Sequence, residues 1–171
     1  LLVDESIIGT ILNGYETRDP YGKKVHRASV IILTSLIDEE VATSIQELLR
    51  KKYHTKNIFP IAGSSLRYQA MRIAFPHERD ALMLDATGPL TSISLVRRDL
   101  LMDIIVVSAD TNKPETWVKH VSSELAKLAE KFPLPRTIFL LARESGVTSL
   151  QKTLGAAHLG SLWLSDNPPK I

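Results

Sequence analysis

None of the 171 residues is a cysteine. That excludes disulfides, thiolate metal sites and a cysteine nucleophile, and it fits a cytoplasmic protein. No apolar run approaches the roughly 18 residues that cross a bilayer. No leader with a charged start and an apolar middle is visible, so direct membrane insertion is not expected. Neither sign of charge prevails: 21 basic against 19 acidic residues leave +2, so nothing calls for nucleic acid as a partner. His26, His54, His77, His120 and His158 are scattered without metal-ligand spacing. What is present is a globular balance, 44% apolar against 23% charged, enough for one full domain or a small one beside a medium one. The chain opens on Leu1-Leu2-Val3, which already has the character of structure, and is expected to be a piece of a longer protein.

Turn chemistry and periodicity divide it. Ser6 to Tyr15 suits a strand, Asp19-Pro20 and Gly22 a turn, and Val25 to Leu36 a second strand. A helix follows, with Asp38, Glu39 and Glu40 in its first turn and Arg50, Lys51 and Lys52 in its last, as the helix dipole favours. Val41, Ile45, Leu48 and Leu49 give it an apolar stripe. Asn57 to Ile61 suits a short strand; a boundary is placed near Gly63, and Ser64 or Ser65 caps a helix with Leu66, Ala70 and Ile73 on one face, ended by Pro76. Asn112 and Pro114 start a long helix whose buried face is Trp117, Val121, Leu125, Leu128 and Phe132, closed by Pro133 and Pro135. Thr137 to Ala142 reads as a strand, Val147 to Ala157 as a helix through Leu150 and Leu154, and Leu159 to Leu164 as a strand containing a core Trp163. Asn167-Pro168-Pro169 has linker character.

Between these helices, the stretch from Phe75 to Ser108 is the most informative. A strand ends in Asp85, Thr87-Gly88-Pro89 makes a tight turn, Leu90 to Val96 returns, Arg97-Arg98-Asp99 turns again, and Leu100 to Ser108 completes an antiparallel meander. An Asp at the strand mouth, with Thr91 across the hairpin, suggests a phosphate or metal site. The element order suggests a mixed α/β sheet covered by helices, of ribonuclease H-like type, which hosts more than one activity.

Two stretches resemble a known family. Leu12-Asn13-Gly14-Tyr15-Glu16-Thr17, then Asp19-Pro20-Tyr21-Gly22-Lys23-Lys24, resembles the hairpin in the small inserted subdomain of bacterial actin-like proteins of the PilM type, the type IV pilus assembly ATPases. The run from Asp85 to Leu101 resembles the second phosphate motif of the same proteins and of the cell-division protein FtsA. The resemblance implies that residues 1–62 belong to an inserted α+β subdomain and 63–171 to an incomplete ribonuclease H-like, actin-type domain. It implies Asp85 as the carboxylate holding magnesium through water, Thr91 as the hydroxyl position and Gly88 as the remaining phosphate donor. Thr87 and Pro89 stand where the family places glycines. A β-branched residue takes positive φ poorly, and proline has no N–H to give. A Gly pair expected near Leu140 to Glu144 is missing as well.

The expectation is therefore a cytoplasmic scaffold, peripheral to the inner membrane, with weak or lost nucleotide binding and no cofactor in this piece. ATP and magnesium belong to the parent if to anything. The implied partner is an inner-membrane pilus assembly protein that offers a short cytoplasmic peptide, with self-association as a second use of the surface. Tyr15, Lys23 and Lys24 on the hairpin are the candidate contacts, since an exposed hairpin offers edge hydrogen bonds and anchoring side chains. The alternatives are a working magnesium-ATP site in pilus assembly or FtsA-like division, and a metal-dependent nuclease using Asp85, Asp103, Glu124 and Glu144. Arg143 and Glu144 suit either a nucleotide contact or a solvated turn.

Overall fold

The computed structural model describes residues 2–157, 159, 162, 170 and 171. They form two compact units, Leu1–Ala74 and Phe75–Ile171.

In the first unit, β1 (Leu2–Leu12), β2 (Tyr15–Thr17) and β3 (Ala28–Leu36) form an antiparallel sheet in the order β2-β1-β3, followed by α1 (Glu39–Tyr53) and α2 (Gly63–Ala74). The strand expected over Ser6 to Tyr15 is broken by a two-residue hairpin: Leu12 pairs with Tyr15, and Asn13 and Gly14 both have positive φ, 51° and 88°. Asn-Gly takes that primed turn readily because its twist matches the flanking strands. The Asn13 side chain then accepts from the amides of His26 and Arg27, which withdraws both from the sheet, so β3 starts at Ala28 rather than Val25. Residues 57–61 form no strand; the Asn57 amide is held by the Thr55 hydroxyl, and Pro60 has no donor for a ladder.

Asp38 caps α1, its carboxylate accepting from the amides of Glu40 and Val41 at 2.9 and 3.2 Å. Most of the apolar stripe faces outward, however: Val41, Ile45 and Leu48 are exposed, Leu49 is half-buried, and the small Ala42 is the buried residue of this helix. α2 is turned likewise. Leu66, Ala70 and Ile73 are exposed, and Ser65, Tyr68 and Met71 are buried instead. The reason lies in β1. Its register slips between Ile7 and Gly9, leaving Ile8 bulged out of the ladder. The Tyr68 hydroxyl donates to the Ile8 carbonyl at 2.7 Å, giving both buried groups a partner. At a second slip, between Leu2 and Asp4, the Asp4 carboxylate accepts from the Ala62 amide at 3.0 Å. These bonds tie α2 to the sheet, and the compact unit that holds both runs through Ala74.

The second unit comprises β4 (Ala81–Ala86), β5 (Thr91–Arg97), β6 (Leu100–Val107), α3 (Pro114–Lys131), β7 (Ile138–Ala142) and α4 (Glu144–Ala156). Its sheet runs β6-β5-β4-β7, antiparallel through the meander and parallel where β7 joins β4, from Leu82 opposite Ile138 to Ala86 opposite Ala142. Leu82, Leu84, Ile93 and Leu95 meet Trp117, Val121, Leu125 and Leu128 of α3 and Leu150 and Leu154 of α4 in one apolar core. Each such side chain contributes about 1.5–3 kcal/mol by leaving water. The face expected of α3 is the face it buries, with Phe132 partly buried at its end. The β5–β6 turn holds Arg98 and Asp99 at positive φ, and two carboxylates brace it: Asp99 with Arg79 at 2.7 Å, and Asp80 with Arg97 at 2.9 Å and the Arg98 amide at 3.0 Å. α4 starts at Glu144, earlier than its apolar pattern suggests. The strand expected over Leu159 to Leu164, core Trp163, His158 and the Asn167-Pro168-Pro169 linker lie wholly or mostly outside the described residues.

Candidate functional site

A cleft of about 520 Å³ opens in the second unit at the carboxyl ends of the parallel pair β4 and β7. Ligands of α/β sheets gather at that end, where loops replace the ladder. Its walls come from the β4–β5 turn (Gly88, Pro89), the loop from β6 to α3 (Asp110, Asn112) and the start of α4 (Arg143, Ser145). Arg143 donates from Nε to the Thr87 carbonyl at 3.1 Å, so the guanidinium ties the turn to the β7–α4 junction. Asp110 accepts from the Asn112 amide and side chain at 3.0 and 2.9 Å, closing the opposite loop on itself. One guanidinium and one carboxylate thus face the same space. The cleft has polar walls but no commanding charge.

The phosphate-site residues are not gathered there. Of Asp85, Gly88 and Thr91, only Gly88 lines the cleft. Asp85 pairs with Ser92 across the hairpin, so those two share a face of the sheet and Thr91, one residue away, is on the other. Thr91 is in phase with Ile93 and Leu95, is fully buried, and accepts from the Trp117 indole N–H at 2.9 Å. Its hydroxyl satisfies a core indole. The Asp85 carboxylate accepts from the Thr87 amide at 2.9 Å and the Thr87 hydroxyl at 2.6 Å, which folds the turn over its own strand end. Gly88 is not at positive φ, and a Cβ there would meet nothing closer than 3.8 Å, so neither the backbone angle nor the chain's own packing requires glycine at this position.

These residues do not fit a magnesium nucleotide: one expected hydroxyl faces the core, the carboxylate is engaged by the turn, and Pro89 offers no donor. The carboxylates of the nuclease alternative do not converge either. Asp103 accepts from the adjacent Ile104 amide, Glu124 pairs with Lys127, and no group of three or more potential metal ligands occurs among the described residues. Among the polar residues that converge on the cleft are Arg143, Asp110 and Asn112. Asp110-x-Asn112 ahead of Pro114 is the pattern of a side-chain-closed turn and was the available signal for two of them.

The first unit has a groove of its own, about 530 Å³, on the face of β1 and β3 beside the β2–β3 loop. Ile7, Leu12, Val25 and Val30 line it apolarly, with Lys23 and Arg72 among its polar atoms. Lys23 donates to the Thr17 hydroxyl at 3.3 Å, and Arg72 donates to the Tyr68 hydroxyl at 3.3 Å and lies over that ring. Of the hairpin candidates, Lys23 lines this groove; Tyr15, 79% exposed, and Lys24, also exposed, stand outside its lining.

No helix among the described residues is long and apolar enough to cross a membrane. No protein-family model matches the chain, and no curated protein sequence matches it. Among solved structures, it is similar to a chain of the PilM-PilN type IV pilus biogenesis complex, with TM-score 0.57 and 16% identity, over 95% of this chain and 57% of that one. It therefore spans little more than half the length of that neighbour. At such identity the likeness shows the fold alone, a mixed α/β fold. A likeness to the Ppx/GppA phosphatase of Aquifex aeolicus, TM-score 0.32 and 13% identity over 68% of this chain and 60% of that one, is too distant to bear on it.

Proposed function

We propose that the chain is part of an actin-like scaffold protein for a membrane-associated machine, type IV pilus biogenesis, in which nucleotide binding is weak or lost. The first unit takes the place of the inserted subdomain, and the second that of the ribonuclease H-like domain that follows it. The observation that carries this reading is the groove of the first unit, where an apolar floor beside Lys23 and Arg72 suits an extended peptide with apolar and acidic side chains. The fold likeness supplies the setting, since the neighbour is itself a partner in a pilus complex. The partner is an inner-membrane pilus protein that presents a short cytoplasmic segment.

The test is fluorescence anisotropy with a labelled peptide from the cytoplasmic end of an inner-membrane pilus assembly protein. Binding is expected, and Lys23→Glu with Val30→Asp should weaken it by about tenfold. No binding in a folded chain removes the pilus assignment. The lost-nucleotide half is tested by calorimetric titration with ATP and magnesium. No heat of binding is expected, because Thr91 serves Trp117 and Asp85 serves Thr87. Micromolar binding that disappears on Asp85→Ala would restore the working-site alternative, which the position of the cleft at the strand ends favours.

A further inference from the structure

Two depressions of the first unit meet at one guanidinium. The groove over β1 and β3, and a smaller one of about 290 Å³ that also takes in Gln69 and Ile73, share Arg18 and Arg72 in their walls. Arg72 is half-buried, and Tyr68 holds it in two ways. Its Nη1 donates to the Tyr68 hydroxyl at 3.3 Å, and its guanidinium carbon lies 5.5 Å from the centre of that ring. Tyr68 is itself fully buried and fixed by its bond to the Ile8 carbonyl. The parallel donors on Nε and Nη2 of Arg72 are left without a partner, and no carboxylate pairs with this residue, among the described residues. Glu16 and Asp19, the carboxylates of β2 and the turn after it, line neither depression, and no other acidic side chain does. A positioned, partly desolvated guanidinium with an open edge is the arrangement that pairs most strongly with a carboxylate.

We propose that Arg72 is the receptor for an aspartate or glutamate side chain within an extended peptide, and so decides which segments this groove accepts. The inference rests on the peptide groove proposed above and names the chemistry that the groove selects. The peptide lays apolar side chains on Ile7, Leu12 and Val30, its carboxylate takes the parallel donors of Arg72, and the chain runs on over Ile73. The carboxylate belongs to a side chain rather than a chain end, because Arg72 lines both depressions and the path passes it instead of stopping there. Lys23 contributes less to the choice. It is exposed on a flexible stem and bonds the Thr17 hydroxyl, so it adds positive potential without fixed geometry. A basic segment would be repelled. A wholly apolar one would desolvate the guanidinium further and give it no partner, which costs affinity.

The experiment is selection of random octapeptides, displayed on phage, against the whole chain, followed by fluorescence anisotropy with the best synthetic peptide. Enriched sequences are expected to carry an Asp or Glu among apolar residues. Replacing that carboxylate by its amide should weaken binding by about tenfold, and so should Arg72→Gln. The two changes together should do no more than either alone, which a merely structural role of Arg72 would not produce. Arg72→Lys should restore little, since it returns the charge without the parallel donors. Circular dichroism checks that each variant is folded. Should Arg72→Gln unfold the unit, Arg72→Lys against the amide peptide completes the same cycle. Peptides enriched without an acidic residue, additive losses, or full rescue by Arg72→Lys overturn the proposal, as does a selection that enriches nothing. Selected peptides that need Arg72, beside a pilus-protein peptide that does not bind, would remove the pilus reading alone. A pilus-protein peptide that binds Arg72→Gln as well as the unaltered chain would remove this inference alone.

Discussion

Every residue of β4 is buried, whereas no residue of β3 is, although the two strands are comparably apolar. Their neighbours differ. β4 is paired on both edges, with β5 and β7, and its Leu82 and Leu84 meet α3 and α4. β3 is an edge strand paired with β1 alone, with Val30, Ile32 and Leu36 standing exposed along one face. Burial is thus conferred by what surrounds a strand, not by its hydropathy. The second unit closes on its own apolar surface and behaves as a frame. The first leaves apolar rows on a sheet face and on α1, the kind of exposed patch that marks an interaction surface.

The contrast is broken most directly by truncating one side chain of similar size in each unit. Leu125→Ala in α3 should cost about 2–5 kcal/mol, because it opens a cavity in a closed core. Chemical denaturation followed by tryptophan fluorescence reads this, and a loss under about 1 kcal/mol would show the core to be looser than its burial indicates. Thr91→Val comes next. It leaves the Trp117 indole N–H without its acceptor, at a cost of about 1–3 kcal/mol. Adding Trp117→Phe should recover part of the hydrogen-bond loss in a double-mutant cycle, whereas strict additivity would mean the bond contributes nothing. In the first unit, Tyr68→Phe should cost about 1 kcal/mol by freeing the Ile8 carbonyl, with faster amide exchange around the β1 bulge. The smallest effect is expected for Leu48→Ala, within about 0.5 kcal/mol, since its side chain is already in water. A larger loss would mean that the α1 row is packed after all.

The same contrast decides what the sequence made legible. The meander, α3 and its buried face follow from alternation, turn residues and the Trp117-to-Leu128 spacing, because in a closed core pattern and packing agree. In α2 two stripes compete. Leu66, Ala70 and Ile73 have the better hydropathy, but Ser65, Tyr68 and Met71 are buried, because a bulge in a distant strand leaves a carbonyl that the tyrosine hydroxyl serves. No local pattern announces such a bulge. The site residues part for a subtler reason: Asp85 and Thr91 do flank one hairpin, yet the alternation that puts Ile93 and Leu95 in the core puts Thr91 there too. Counting by twos from Ile93 puts Thr91 on the core face and leaves Ser92 on the other, the face it shares with Asp85. Arg143 was legible as a candidate, but its hold on the Thr87 carbonyl joins segments far apart in the chain.

The parallel junction of β4 and β7 also sets an order of events in time. The β4–β5 and β5–β6 hairpins close over short loops, whereas Leu82 meets Ile138 only after β5, β6 and α3 have been traversed. Loop-closure entropy delays such non-local pairings, so the meander is expected to assemble early and β7 to zip onto β4 late. In mutational kinetics, Leu95→Ala should then slow refolding, while Ile138→Val should mainly speed unfolding. During synthesis the open edge of β4 waits for a strand that has yet to emerge. That interval, rather than any weakness of the finished fold, is when this unit is most exposed to mispairing with another chain.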